Sequence, residues 1–452
     1  MGGWILNLGY AVALAATSPL WVYRMLRHGR YRRGWKQRLG GVPRRHGLQP
    51  VIWIHGVSVG EVNAARALVA QLHSQLPDYQ VVVSSTTDTG IAAAKRAFEP
   101  AHRVFRYPLD FSFSVGRALN RLRPAAVVLI EGDIWPNFVR SANRRGVAVV
   151  VVNGRLGPHK GYPRYRLIRP LAGRLFFNSL AAIGVQHETY AMLFRALGAR
   201  DEKLTVTGMM KFDAADLGDR VPGQEALAAA LGLGEDKPLL TAGGTGPGEE
   251  RMILAAFAAA RRAGSLGGAR LAIVPRKPER FDEVARLIER MGFIPVRRSG
   301  HGDGSTCSPP NDAVILGDTM GELRKFYALA AAVFVGRSLV RMGGSDMIEA
   351  AALGKPVAFG PHTFNFPQAE SMVVAGCARR VGGAEELMDL FADWLESPAE
   401  AAEIGAKARE FVRSQQGATR RNVELICKVL RRTPALAAGG IATDAIQAEI
   451  GQ

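Results

Sequence analysis

A strand-type run, VIWIH, enters a glycine-bracketed turn and ends on a carboxylate at residues 51–61 (VIWIHGVSVGE); Glu61 then opens the helical pattern EVNAARALVAQLHSQL. In open α/β sheets ligands bind beyond the carboxyl ends of the strands, so a strand–turn–helix junction is where reactive groups gather. Two chemistries fit these letters. Glu61 can serve as a general base on a bound hydroxyl, with Gly56, Ser58 and Gly60 shaping a loop that approaches the ligand closely. Alternatively, Gly56-Val57-Ser58-Val59-Gly60 matches G-x-S-x-G, a hydrolase elbow with Ser58 as nucleophile. Against the elbow, it would follow the first strand of the sheet, with no earlier strand to supply an oxyanion loop. No later histidine stands at an evident strand end beside an acid. The purely structural alternative is a tight turn with a capping Ser58 and a first-turn Glu61.

Further polar groups also sit at the ends of apolar runs. Glu131-Gly132-Asp133-Ile134-Trp135-Pro136-Asn137 follows AVVLI, with Pro136 suited to the first turn of a helix and Asp133 to its cap. Lys211 lies in TGMMKFD, after the run LTVTG. In the second half, Pro275-Arg276-Lys277-Pro278 follows a strand-type run, and Arg276 is placed to fork onto a phosphate. GDTMGEL (317–323) and GGSDMIE (343–349) run from glycine turns into helical patterns, whose N-terminal N–H groups suit an anion. Glu322 and Glu349 beside such sites suit ribose hydroxyls, which favours a nucleotide or nucleotide-sugar. Neither a G-x-G-x-x-G after the opening strand nor a G-x-x-x-x-G-K-[ST] occurs, so dinucleotide oxidoreduction and P-loop chemistry lose support.

The elements that must position these groups alternate strand and helix throughout, the pattern of parallel α/β architecture. Strands are expected at 51–55, 80–85, 103–108, 126–130, 147–153, 181–186 and 204–208, then at 238–244, 269–275, 313–317, 331–336 and 356–360. The 452 residues suit two doubly wound domains in tandem with a cleft between them. The expected divisions are an anchor and basic segment (1–40), an N-terminal α/β domain (41–212), a crossover (213–235), a C-terminal α/β domain (236–433) and a flexible tail (434–452).

Lys and Arg number 58 against 40 Asp and Glu, a formal charge of +18 that suits an anionic partner. No interleaved aromatic–basic module points to nucleic acid. Residues 4–23 are uncharged and largely apolar, and Arg24, Arg27, Arg30, Arg32, Arg33, Lys36 and Arg38 follow them. A cleaved signal carries its positive charges before the apolar run, so this order predicts an anchor with the body on the cytoplasmic face. Pro19 and short polar interruptions leave both a span and a monotopic insertion open. Three widely spaced cysteines without a C-x-x-C suit a reducing compartment.

Taken in order, VSVGE, STTDTG (85–90), YPLD (107–110), IWPN, NGRL (153–156), GMMKFD, PRKPERF, GDTMGEL and NFPQ (365–368) resemble the Kdo (3-deoxy-D-manno-octulosonic acid) transferases of lipopolysaccharide synthesis. The resemblance runs from the anchor to about residue 420. It implies a GT-B glycosyltransferase of two Rossmann-like domains on the cytoplasmic face of the bacterial inner membrane, moving Kdo from CMP-Kdo to a phosphorylated lipid A precursor among anionic lipids. By this resemblance Glu61 is the general base, and Glu131 and Lys211 stabilise the transition state. Pro275 and Arg276, Met320, Gly321 and Glu322, and Asp346, Met347, Ile348 and Glu349 hold CMP. No cofactor or metal is expected.

The chain departs from the family pattern at several points. It has His55-Gly56 for the usual His-Ala, and Glu131-Gly132-Asp133 for Glu-Thr-Glu. It has Gly244-Thr245-Gly246 for Ser-Thr-His, Lys277 for the His of Pro-Arg-His, and Ser345-Asp346 for His-Asn. These changes leave open another acceptor or ulosonic acid, the Ser58 hydrolase, and a non-catalytic lipid-surface protein.

Overall fold

The computed structural model describes residues 2–28, 32–157, 161–234, 237–302 and 304–432, so the tail expected at 434–452 lies outside the described residues. The chain divides into two compact units, Met1–Ala214 with Gln416–Gln452, and Ala215–Gln415.

In the first unit, strands β1 (Val51–His55), β2 (Gln80–Ser85), β3 (Arg103–Arg106), β4 (Pro124–Ile130), β5 (Ala148–Gly154), β6 (Ala182–Val185) and β7 (Leu204–Val206) form one sheet in the order β3-β2-β1-β4-β5-β6-β7. All pairings are parallel. Strand β1 is buried along its whole length, which is why it reads as an unbroken apolar run rather than an alternating one. Its side chains still alternate between faces. Trp53 joins Phe105, Leu129 and Phe138 on one side, while Ile52 and Ile54 join Val62, Val128 and Ile426 on the other. Strand order reverses between β1 and β4, so the loops after these two strands flank the topological switch point where ligands of such sheets bind.

The second unit repeats the plan. Strands β8 (Leu239–Thr245), β9 (Arg270–Pro275), β10 (Ile294–Arg297), β11 (Ala313–Leu316), β12 (Ala332–Val335), β13 (Val357–Phe359) and β14 (Arg379–Arg380) are ordered β10-β11-β9-β8-β12-β13-β14, again all parallel. Its switch point lies between β8 and β12.

The stretch expected as one C-terminal domain, 236–433, is divided. Helix Ala418–Arg432 returns to the first unit, where Ala418, Val423, Ile426 and Leu430 pack in the same core as β1 and β4. Asp213 fastens its start by accepting from Gly417 N (2.6 Å) and Thr419 N (2.5 Å). Its buried residues recur at helical spacing, and the apolar stripe they form is covered by the first sheet. The three cysteines are free.

Candidate active site

The loop after β1 is built around Glu61. Helix Val59–Gln75 is capped by Ser58 in an extended conformation, whose Oγ accepts from Glu61 N (3.4 Å). The carboxylate answers: Oε2 accepts from Val57 N (2.7 Å) and Oε1 from Ser58 Oγ (3.0 Å). This is a variant of the capping box in which Glu61 reaches the N–H of the residue before the cap, and it fixes the carboxylate against the first turn. Val57 is held from its other side, its carbonyl accepting from Ser85 Oγ (3.0 Å) and Thr87 Oγ1 (2.9 Å). Gly56 and Gly90 let the two loops close up. A Cβ at Gly56 would lie 3.2 Å from Glu61 Cβ, and one at Gly90 would lie 2.9 Å from Val57 O. Burial pushes the Glu61 carboxyl up to about 7, the Val57 and Ser58 hydrogen bonds oppose that rise, and the charges of Glu131 and Asp133 add to it. A carboxylate titrating near neutrality is suited to take a proton there. The Ser58 elbow finds no support in this geometry. Ser58 bonds to Glu61 rather than to a histidine, and its backbone is ordinary extended chain rather than a strained turn.

Glu131 ends β4 with φ of 62°, an uncommon conformation for a side chain of this kind, and Gly132 follows at 108°. Backbone strain at a strand end is a hallmark of functional positions. Its own carbonyl accepts from Arg155 N (3.1 Å) and its N–H donates to the Val152 carbonyl (3.0 Å), so β5 fixes the turn. Arg155 hydrogen-bonds Tyr190, whose phenol also feels Glu131. The purely structural alternative for this segment, Asp133 as a helix cap, is not what the structure has, because helix Pro136–Asn143 is capped from elsewhere. Asp110, in the YPLD segment, accepts from Asn137 N (3.0 Å) and Phe138 N (2.7 Å). Asp133 instead faces His55 Nε2 at 3.5 Å. His55 is buried, stacked on Tyr107 at 3.7 Å, with Nδ1 against the Ser84 carbonyl (3.1 Å). Neither Asp110 nor His55 stood out by position in the sequence, because both act through residues distant in the chain.

Lys211 is exposed in the turn beyond β7. Its neighbour Met210 donates its N–H to Asn153 Oδ1 (3.1 Å), and Asn153, at φ of 53°, lies near the end of β5. The NGRL and GMMKFD segments are thereby tied together. Glu131 and Asp133 act electrostatically on Glu61, and Lys211 is carried on the same carboxyl edge of the sheet.

In the second unit Arg276, exposed after Pro275 at the end of β9, donates its N–H to the Thr245 carbonyl (3.1 Å). Met320 is 67% exposed, and Gly321 (φ of 89°) sits in an open turn. Glu322 is not a free acceptor for ribose. Arg298 forks onto it (Nε to Oε2 2.9 Å, Nη2 to Oε1 3.1 Å), Lys325 Nζ donates to Oε1 (3.0 Å), and the Thr319 hydroxyl donates to Oε2. Four donors fill the acceptor sites of a carboxylate. Burial pushes the group up, but these hydrogen bonds draw it down to about 2. Glu322 therefore orders the GDTMGEL turn rather than presenting an open lone pair. The helices that follow the two glycine turns, Leu323–Leu329 and Ile348–Ala352, are seven and five residues long.

Asp346 Oδ1 accepts from Ile348 N (3.2 Å), a turn bond that asparagine makes equally well, so the acid at this position keeps the local geometry. Met347 and Ile348 are buried, while Glu349 is exposed. Gly343 (φ of 87°) has no room for a Cβ beside the Asn365 side chain, which brings NFPQ against GGSD. Ser345 Oγ donates to the Gly244 carbonyl (2.7 Å), joining that turn to the end of β8. Two acids missed by the sequence reading organise this edge. Glu249, wholly buried, accepts from Gly246 N, Arg337 N, Ser338 N and Leu339 N at 2.5–3.2 Å. Glu250, also buried, takes Arg280 Nη1 (2.6 Å) and Thr245 Oγ1 (2.9 Å). Among the described residues no group of three or more His, Cys, Asp or Glu side chains gathers in an arrangement that could hold a metal ion.

Comparisons with known proteins give the family and the fold. Residues 33–214 match the family model described as 3-Deoxy-D-manno-octulosonic-acid transferase (kdotransferase). The 3-deoxy-D-manno-octulosonic acid transferase of Bordetella pertussis is 34% identical over 92% of this chain and 98% of its own length. That of Haemophilus influenzae is 33% identical over 84% and 87%. The structure of UDP-GlcNAc 2-epimerase from Neisseria meningitidis bound to UDP-GlcNAc superposes with a TM-score of 0.55 over 85% of this chain and 100% of that one, at 14% identity. That likeness concerns the fold alone, and the two parallel sheets have the GT-B architecture.

Proposed function

The chain belongs to the Kdo transferase family of glycosyltransferases, and from that premise we propose that it moves Kdo from CMP-Kdo to a lipid A precursor (lipid IVA). The observation that carries the reading is the Glu61 carboxyl, held in a capping box at the switch point and pushed up to about 7. In the reaction Glu61 takes the proton of the acceptor hydroxyl as its oxygen bonds to the anomeric carbon of Kdo. The bond from that carbon to the CMP phosphate oxygen breaks, and CMP departs with the electron pair. Positive charge grows on the sugar, where the Glu131 carboxylate is stabilising, and Lys211 balances developing negative charge.

On the donor side, Arg276 engages the phosphate, and Pro275, the turn at Met320 and Gly321 ordered by Glu322, and the segment Asp346–Met347–Ile348–Glu349 hold the nucleotide. No step in this scheme calls for a metal. The apolar N-terminal helix and the basic run after it keep the enzyme at the cytoplasmic face of the inner membrane, beside anionic lipid.

The test is transfer from freshly generated CMP-Kdo to tetraacylated lipid A precursor, with wild type, Glu61→Ala and Ser58→Ala compared in the presence of a chelator. Product from wild type and Ser58→Ala but not from Glu61→Ala supports the transferase and its base. Absence of product from folded wild type, with no binding of CMP, overturns it. A product that forms only without chelator overturns metal independence alone.

A further inference from the structure

Just beyond β12, Arg337 has φ of 60°, a left-handed conformation that glycine adopts freely and a long side chain does not. The backbone is held there from both sides. The Glu249 carboxylate accepts from Arg337 N (2.5 Å), Ser338 N (3.0 Å) and Leu339 N (2.9 Å), and the Arg337 carbonyl accepts from Gly344 N (2.8 Å). Gly246 N is the fourth donor to Glu249 (3.2 Å), so backbone groups alone fill that carboxylate. Strain of this kind persists only where the surroundings over-determine it, and glycine at 337 would remove it. A basic residue held this way at a strand end is a ground for function rather than for stability.

The stem of Arg337 lies against the turn that ends β8. A Cβ at Gly246 would lie 3.0 Å from Arg337 Cγ and 2.8 Å from Met342 Sδ, so these two side chains occupy the space that a side chain at 246 would need. Position 246 is where the family pattern has the His of Ser-Thr-His, and here a basic group reaches the same turn from the β12 loop instead. Strand β8 lies between β9 and β12 in the sheet, so two arginines straddle its turn. Arg276, after β9, donates its N–H to the Thr245 carbonyl, and Arg337, after β12, packs on Gly246. The two loops touch directly: Gly336 N donates to the Gly243 carbonyl (2.8 Å), and a Cβ at Gly336 would lie 2.6 Å from Thr245 Cα. This is the switch point of the second unit, at the carboxyl ends of its strands, where ligands of doubly wound sheets bind. Arg337 is half-buried, and its Nε is buried without a hydrogen-bond partner, a costly state that an anionic ligand relieves.

We propose that Arg337 is a second phosphate-binding residue of the donor site, engaging the phosphate of the cytidine nucleotide from the β12 side as Arg276 does from the β9 side. The proposal rests on the transferase reading above. When the bond from the anomeric carbon to the phosphate oxygen breaks, CMP takes the electron pair and its phosphate gains one negative charge. A guanidinium stays protonated throughout, so Arg337 stabilises that charge without any proton transfer.

The test measures binding of CMP and of cytidine to the full chain by calorimetry, with wild type, Arg337→Gly and Arg337→Gln compared. Glycine fits the backbone at 337, so Arg337→Gly should unfold at the wild-type temperature or above. Its CMP affinity should fall by about 10–100-fold, the loss of a charged hydrogen bond, while cytidine affinity stays within about twofold. Arg337→Gln keeps the strained backbone and most of the stem but not the charge, and should lose CMP affinity to the same extent. A loss confined to Arg337→Gly would come from a loosened loop and overturns the proposal. Unchanged CMP affinity in both variants, or a cytidine affinity that falls equally, also overturns it. Wild type that binds no CMP overturns the transferase reading and this proposal with it, and that result is read before any variant is compared.

Discussion

Replacing Glu61 by Gln separates its chemical role from its structural one. The amide oxygen can still accept from Val57 N, now 2.7 Å from Oε2, so most of the capping box survives. The charge that burial, Glu131 and Asp133 disfavour is removed. Because the folded-state value is raised from 4.5 to about 7, the stability linked to this group is full below pH 4.5 and is lost as pH rises through about 7. At pH 8 the Gln variant should therefore unfold at the same temperature as wild type or higher. Its transfer rate should fall by about 10²–10⁴-fold, the contribution of a general base, or roughly 3–5.5 kcal/mol in the barrier. The assay is kcat/KM for Kdo transfer from pH 5.5 to 9, beside thermal unfolding. Wild type should show an ascending limb near pH 7 that the variant lacks. A variant within about threefold of wild type, or one that keeps the limb, would refute the reasoning and leave Glu61 as a cap.

Ser58→Ala removes the N-cap and the donor to Glu61 Oε1, and should cost about 1 kcal/mol of stability. It should move the ascending limb to higher pH while leaving transfer intact at high pH; complete loss of activity would revive the nucleophile reading. Arg280→Ala leaves the wholly buried Glu250 without its ion partner and should destabilise the second unit by about 3–5 kcal/mol in denaturant titrations of the full chain. A loss below about 1 kcal/mol would contradict the burial argument. Glu322 is held at about 2, so its contribution is full above pH 4.5 and is lost as pH falls towards 2. Glu322→Gln should flatten the acid side of the stability curve over that window, and an unchanged acid limb would show that Arg298 does not stabilise the carboxylate.

Twelve strands were legible as apolar runs because parallel strands covered on both faces carry few polar letters. The two missed, Ile294–Arg297 and Arg379–Arg380, are the edge strands of the second sheet, one with an internal proline and the other only two arginines long. Helix Ala418–Arg432 was assigned to the wrong half because an amphipathic stripe does not say which sheet will cover it. The tie that decides the matter, Asp213 to Gly417 and Thr419, spans about half the chain. Glu61 was legible because its geometry is local: strand, turn, cap and carboxylate lie within eleven letters. Glu249 and Glu250 read as ordinary first-turn acids of helix Glu249–Ala263, and only tertiary burial makes them different.

The acids of the motifs fall into two groups. Asp110, Asp213, Asp318, Glu249, Glu250 and Glu322 each accept several donors and fasten one segment to another; Asp318, for instance, takes Arg297 Nε (2.7 Å) and Ser299 N (2.7 Å). Such acids are already matched by fixed donors, so moving a proton through them would break the framework. Glu61, Glu131 and Asp133 also have partners, Val57 and Ser58 for Glu61 and His55 for Asp133, but these three acids lie together. Glu131 and Asp133 sit close enough to raise the proton affinity of Glu61, at the strand ends where the order of the sheet reverses. Like charges are unfavourable in a resting protein and useful when a hydroxyl proton must be accepted and positive charge must grow on a sugar. Asp110 links the two groups. Its carboxylate caps the helix that follows Glu131 and Asp133 and receives Tyr10 from the apolar helix, so the same bonds that order this edge also tie the apolar helix to it. On the proposed role of the apolar helix as a membrane anchor, Tyr10→Phe, which breaks the Tyr10–Asp110 latch, should lower turnover on membrane-borne acceptor more than it lowers thermal stability. An equal loss on a detergent-dispersed acceptor would mean that the latch serves folding alone.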